Sequence, residues 1–217
     1  MKCVYCCKEI GEGEFAREHI PPKSFFKRGT PNLITIPACR NCNNKKSSDD
    51  ELVLNIFCMS DLISINPAHQ IHIDKMIRAI KRPQKEGFVK DILESAHTVV
   101  TPDGDKTAFI FDQEKILSWS GVNAQGLLVH EGYIEHCNYQ HSTLMLNQLR
   151  ATQHEEKIFR DGILSLTKSS QGKQVGSSEF TYWVYPHEDS FVVIQCFYQE
   201  LYFVTTVEHE KFSLTSL

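Results

Sequence analysis

Two C-x2-C pairs, Cys3-Val-Tyr-Cys6 and Cys39-Arg-Asn-Cys42, flank a Glu18-His19 dipeptide near the start of the chain. Each short turn can bring two thiolates onto one ion at about 2.3 Å, so the pairs together suit one tetrahedral Zn²⁺. Cys7 is a worse-spaced alternative to Cys6. Four thiolates close the coordination sphere, which makes such a zinc structural. Chemistry on a substrate must then come from between the pairs. There Glu18 offers a carboxylate, His19 an imidazole that titrates near neutral pH, and Asn43, directly after the second pair, an amide oxygen. Neighbours on a strand point to opposite faces, so Glu18 and His19 serve different partners. Lys23, Arg40, Lys45 and Lys46 lie close enough in sequence to line a phosphate track.

The elements that must position these residues are short. Phe15–Ile20 reads as a strand stopped by Pro21 and Pro22, which cannot donate to a ladder. Asn32–Pro37 reads as a second, β-branched strand, and a helical turn or two follows from Arg40 through Lys46. Ser48-Asp49-Asp50-Glu51 is a capping-box pattern that predicts a separate helix ending before Pro67. Residues 1–66 hold few bulky aliphatics in their first part, so a metal staple is expected there. Residues 67–217 form a second, α+β domain. Helices are predicted where Ile73, Met76, Ile77 and Ile80 recur, where Phe88 to Ala96 repeat the pattern, and near 112–130 and 153–166. Residues 168–178 read as a loop. Phe180–Tyr185, Phe191–Tyr198 and Leu201–Val207 read as strands of an antiparallel sheet, the last two joined by a hairpin at Gln199-Glu200.

The net charge of the 217 residues is −4. Residues 1–47 carry nine basic and four acidic side chains, so this head is +5 and the remainder −9. A basic head on an acidic body suits local binding of phosphate. Eight cysteines in a chain this long are too sparse for a secreted disulfide scaffold. With no h-region at Met1–Cys6 and no apolar run long enough for a bilayer, a reduced cytoplasmic location is expected.

Taken in order, Cys3/Cys6, Glu18-His19, Asn32, Cys39/Cys42, Asn43 and the closing Lys46-Ser47 resemble an HNH endonuclease, the zinc-stapled branch of the ββα-metal nucleases. The segment His19-Ile-Pro-Pro-Lys-Ser-Phe-Phe26 is similar to the stretch after the base in the HNH domain of Cas9-type nucleases. The resemblance covers about a fifth of the chain. It implies that His19 is the general base and that Glu18 and Asn43 hold one catalytic Mg²⁺ or Mn²⁺. It also implies that Asn32 braces the loop orienting His19, and that the substrate is DNA. Glu18 stands where the family usually has Asp, and Asn43 where many members have His; both keep oxygen donors suited to a hard cation. Small stand-alone members imply a role in antiphage defence or a mobile element. Residues 67–217 would then supply targeting, homodimerisation through the Gln199-Glu200 hairpin, or docking of a partner protein. The alternative is a non-catalytic zinc module that binds nucleic acid or protein.

Overall fold

The computed structural model describes residues 1–63, 66–82, 86–102, 104–149 and 153–208. Strands β1 (Phe15–His19) and β2 (Thr35–Cys39) form an antiparallel hairpin that pairs Glu18 with Ile36 and His19 with Thr35. Helix α1 (Arg40–Cys58) starts directly after β2. The N-terminal knuckle docks beside β2, where the Val4 amide donates to the Pro37 carbonyl at 3.1 Å. The architecture is mixed helix and sheet, a β-β-α unit with its cysteines followed by a larger antiparallel sheet.

The break predicted at Ser48 does not occur. Arg40–Cys58 is one helix of 19 residues capped by Cys39, whose Sγ accepts from the Cys42 amide. The Ser47 and Ser48 hydroxyls donate back to the carbonyls of Asn44 and Lys45, three residues earlier, and so do not compete with the helix. Continuity places Asn43, Lys46, Asp50, Val53 and Phe57 along one stripe, the i, i+3, i+7 spacing of a core-facing helix surface. Asp50, Val53 and Phe57 are buried accordingly.

Helices α2 (Pro67–Ile80) and α3 (Glu86–Ser95) follow, then the hairpin β3 (His97–Thr101) and β4 (Gly104–Ala108), and α4 (Gln113–His130). Pro102-Asp103-Gly104-Asp105 is a turn signal in the sequence, and Asp103 lies outside the described residues. Helix α4 is the centre of the molecule. Ten of its residues are buried, among them Trp119, Ala124, Leu127 and Leu128. It lies against the β1–β2 hairpin so closely that a Cβ on Gly126 would stand 2.9 Å from Ile20 Cδ1 and 3.3 Å from Ile36 Cδ1.

The remaining strands are β5 (His141–Met145), β6 (Lys173–Val175), β7 (Phe180–His187), β8 (Ser190–Phe197) and β9 (Leu201–Glu208), antiparallel in the order β5-β9-β8-β7-β6. Helix α5 (His154–Ser169) places Ile163 and Leu164 in a smaller cluster with Leu146, Ile194 and Val204. Both β5 and β6 escape the sequence patterns; β6 is three residues inside the predicted polar loop. Residues from either side of the 66/67 division share one core, in which Ile20, Phe25, Ile36, Val53 and Phe57 join Trp119, Leu127, Phe197 and Phe203.

The hairpin at Gln199-Glu200 is present, but β8 and β9 are interior strands and Phe197, Tyr198 and Leu201 beside the turn are buried. Its apolar residues already have a place in this chain, so the exposed sheet edge that suggested a dimer contact at this hairpin is not there. Among the described residues no helix is long and apolar enough to cross a membrane.

Candidate metal centre and cleft

Cys3, Cys6, Cys39 and Cys42 bring their four sulfurs within 4.8 Å of one another. Cys3 is buried, and burial alone would raise its thiol. Amides of Cys39, Cys6 and Tyr5 directed at its sulfur outweigh that penalty, and the pKa falls to about 7. Burial and the three neighbouring thiols push Cys42 well up instead. A knuckle that surrounds sulfur with amide donors stabilises a thiolate before any ion arrives. Four such donors in a cluster this tight can hold a tetrahedral ion such as Zn²⁺. Cys7 is exposed and is not part of the cluster.

The cluster joins the N-terminal knuckle to the end of β2 and the start of α1, and beside β1 and α1 opens a cleft of about 590 Å³. Glu18, His19 and Asn43 all line it, together with Arg17, Lys23, Ser47, Asp50, Glu51, His72 and Arg82. Thus β1, α1 and α2 all contribute to the walls of one cleft. His19 has its Nδ1 buried without a completed hydrogen bond. Its pKa lies below the ordinary 6.5 because of burial first, then the nearby Lys23 and Arg17 cations; the Ile34 carbonyl opposes them. A neutral imidazole carries one proton and one lone pair, so one ring nitrogen of His19 can still accept a proton.

Glu18 does not stand open as sequence suggests. Its Oε1 is 3.1 Å from Lys46 Nζ, and that ammonium is also 2.7 Å from Asp50 Oδ1. The Trp119 indole donates to the same Asp50 oxygen at 2.8 Å. Burial raises the Glu18 carboxyl, while Lys46 opposes the rise. Lys46, with only 9% of its side chain exposed, is therefore an internal counter-ion and not part of a phosphate track. It occupies the core-facing stripe of α1, and a charge there must be paired.

The other expected phosphate contacts divide. Lys23 lines the cleft. Lys45 faces a different crevice, with Cys6, Cys42, Lys115 and Trp119. Arg40 is exposed at the first turn of α1 but does not line the cleft. Asn32 is not on β2. It sits in the preceding loop at φ 54°, a conformation Asn tolerates better than most residues, and lines a crevice with Lys27, Arg28 and Gln174. It does not line the His19 cleft, so bracing of His19 by Asn32 has no support in the geometry.

Arg17 and Arg82 are cleft cations that sequence reasoning missed. Arg17 was legible, because it stands two residues before His19 and shares its strand face. Arg82, just past α2, carries no local signal.

Replacing Lys46 with methionine leaves Glu18 and Asp50 buried without their cation. The expected loss is about 3–5 kcal/mol of unfolding free energy at mildly alkaline pH, shrinking as acid neutralises the carboxylates. Urea unfolding followed by tryptophan emission checks this. A change below about 1 kcal/mol would show that the pair is solvated in practice.

No family model matches the chain, and neither a curated protein nor a solved structure matches it.

Proposed function

We propose that this chain is an HNH-type endonuclease that hydrolyses phosphodiester bonds in DNA. The observation that carries the reading is the position of His19: a half-buried imidazole held neutral, lining a cleft with the cations Arg17, Lys23 and Arg82 on the one hand and Asn43, Glu18 and Glu51 on the other. Arg17, Lys23 and Arg82 bind the phosphate oxygens and orient the scissile group. The unprotonated ring nitrogen of His19 takes a proton from water as the water oxygen bonds to phosphorus and the bond to the leaving oxygen breaks. Lys46 engages Oε1 of Glu18, which leaves the second carboxylate oxygen and the Asn43 amide oxygen as the donors that suit a hard cation. A bound Mg²⁺ or Mn²⁺ there would polarise the phosphate and take up charge on the leaving oxygen. The Cys3/Cys6/Cys39/Cys42 cluster, loaded with zinc, holds β1 and α1 in this relation.

One observation favours the rival reading, a catalytically silent zinc module: Glu18 already has a cation in Lys46. Catalysis tells the two apart, and so does its pH profile. The base works only as neutral imidazole, so a lowered pKa keeps it active further into acid. Half-maximal kcat/KM on the acid limb is therefore expected below pH 6.5. Lys23→Ala removes one of the depressing charges and should move that limb upward. An acid limb well above 6.5, or one indifferent to Lys23, contradicts the assignment of His19 as base.

A further inference from the structure

The turn that delivers Lys23 to the cleft is held from below by the C-terminal sheet. Residues Lys23–Phe25 form one 3-10 turn, in which the Phe25 and Phe26 amides donate to the Pro22 and Lys23 carbonyls. The Phe25 ring is sunk in the core, stacked on Trp119 at 5.3 Å and edge-on to Phe57 at 5.7 Å. Its carbonyl accepts twice. Tyr198 Oη donates to it at 3.0 Å, and His72 Nε2 lies 2.9 Å from it. A carbonyl cannot donate, so His72 carries its proton on Nε2.

Tyr198 is unusual in its own right. It is fully buried, it opens the β8–β9 turn, and its φ of 52° is a left-handed conformation that bulky side chains rarely adopt. Such a conformation persists only where its surroundings over-determine it. Here they do. The Tyr198 amide donates to the Glu179 carbonyl at 2.9 Å, and its own carbonyl accepts from Asn66 Nδ2 at 2.7 Å. The Ser177 and Ser178 amides in turn donate to the Glu179 carboxylate. A chain of hydrogen bonds thus runs from the β6–β7 turn through Tyr198 to the turn beneath Lys23.

We infer that Tyr198 and His72 are positioning residues of the proposed nuclease centre: they clamp the Phe25 carbonyl and so fix Lys23 over the scissile phosphate. This rests on the nuclease reading above, and it makes the β8–β9 turn a support for catalysis 173 residues away in sequence. Neither side chain bonds the phosphate; both act through Lys23.

Tyr198→Phe keeps the ring and removes one donor, so Phe25 O retains His72. In wild-type background it should slow plasmid nicking about tenfold, the effect of losing one orienting hydrogen bond. In a Lys23→Ala background it should cost nothing more, because the group it positions is gone. His72→Phe should behave alike, and His72→Gln, which keeps an N–H donor near the same place, should recover most of the loss. Hydrogen exchange at the Phe25 and Phe26 amides should quicken in Tyr198→Phe while the rest of the core stays protected. Equal exchange in the two proteins overturns the clamp, whatever the activity. A full tenfold loss that persists in the Lys23→Ala background overturns action through Lys23. A wild-type protein that cuts no DNA overturns the nuclease reading itself and the positioning role with it, and the exchange data then report only on the turn.

Discussion

Stripping the metal from the four-cysteine cluster, or replacing Cys39 with serine, is expected to unfold far more than the N-terminal segment. Zinc bound to four thiolates contributes on the order of 10 kcal/mol of folding free energy, as much as the entire stability of a typical domain. Cys39 also caps α1 through its sulfur, a role that serine can take over, so the loss in Cys39→Ser falls on the metal site. The β1–β2 hairpin and α1 do not have a core to themselves. Ile20, Phe25, Val53 and Phe57 pack with Trp119, Phe197 and Phe203, so their release opens the face of the large sheet. Thermal unfolding with and without a chelator, alongside elemental analysis, checks this. One zinc per chain and a large, cooperative fall in Tm on chelation are expected. A folded protein without zinc, with an unchanged Tm, would remove the staple from the account.

His19→Ala is expected to reduce cleavage by about 10²–10⁴-fold, the usual contribution of a positioned general base. The loss should fall on kcat. His19 is neutral and half-buried, so it adds little to the ground-state attraction that Arg17, Lys23 and Arg82 exert on phosphate, and KM and DNA affinity should stay near wild type. Zinc content should not change either, because the imidazole is not part of the cysteine cluster. By contrast, Lys46→Met acts on stability. Comparison of the two separates the chemistry of the cleft from the packing beneath it.

The parts legible in sequence were those governed by short-range rules. The two knuckles needed only C-x2-C spacing. The dense β-branched and aromatic runs announced β7, β8 and β9. The role of Lys46 was hidden by one local misreading. Lys46, Asp50, Val53 and Phe57 form a single stripe only if the helix continues through Ser47-Ser48-Asp49-Asp50. The capping-box pattern, broken there on propensity alone, put Lys46 at a helix end facing solvent. Propensity lost to tertiary packing, because that stripe meets Trp119 and the sheet. Asn32 was misplaced because the left-handed turn that carries it away from β2 leaves no hydrophobic pattern. Arg82 reaches the cleft through packing, and His72 and Tyr198 reach the Phe25 carbonyl across 47 and 173 residues of chain; no spacing rule spans such distances. The division at residue 66 followed composition, whereas the core is drawn from both sides of it.

The central claim is that the His19 cleft hydrolyses phosphodiester bonds, and a time course on supercoiled plasmid with Mg²⁺ or Mn²⁺ tests it most directly. Wild-type protein and His19→Ala, matched in zinc content and thermal stability, are run side by side. One base in one cleft cuts one strand per encounter, so the wild type is expected to yield open circles before any linear product. The His19→Ala protein is expected to leave the plasmid supercoiled over the same period. Intact plasmid with the zinc-loaded wild type, or equal nicking by both proteins, would contradict the account.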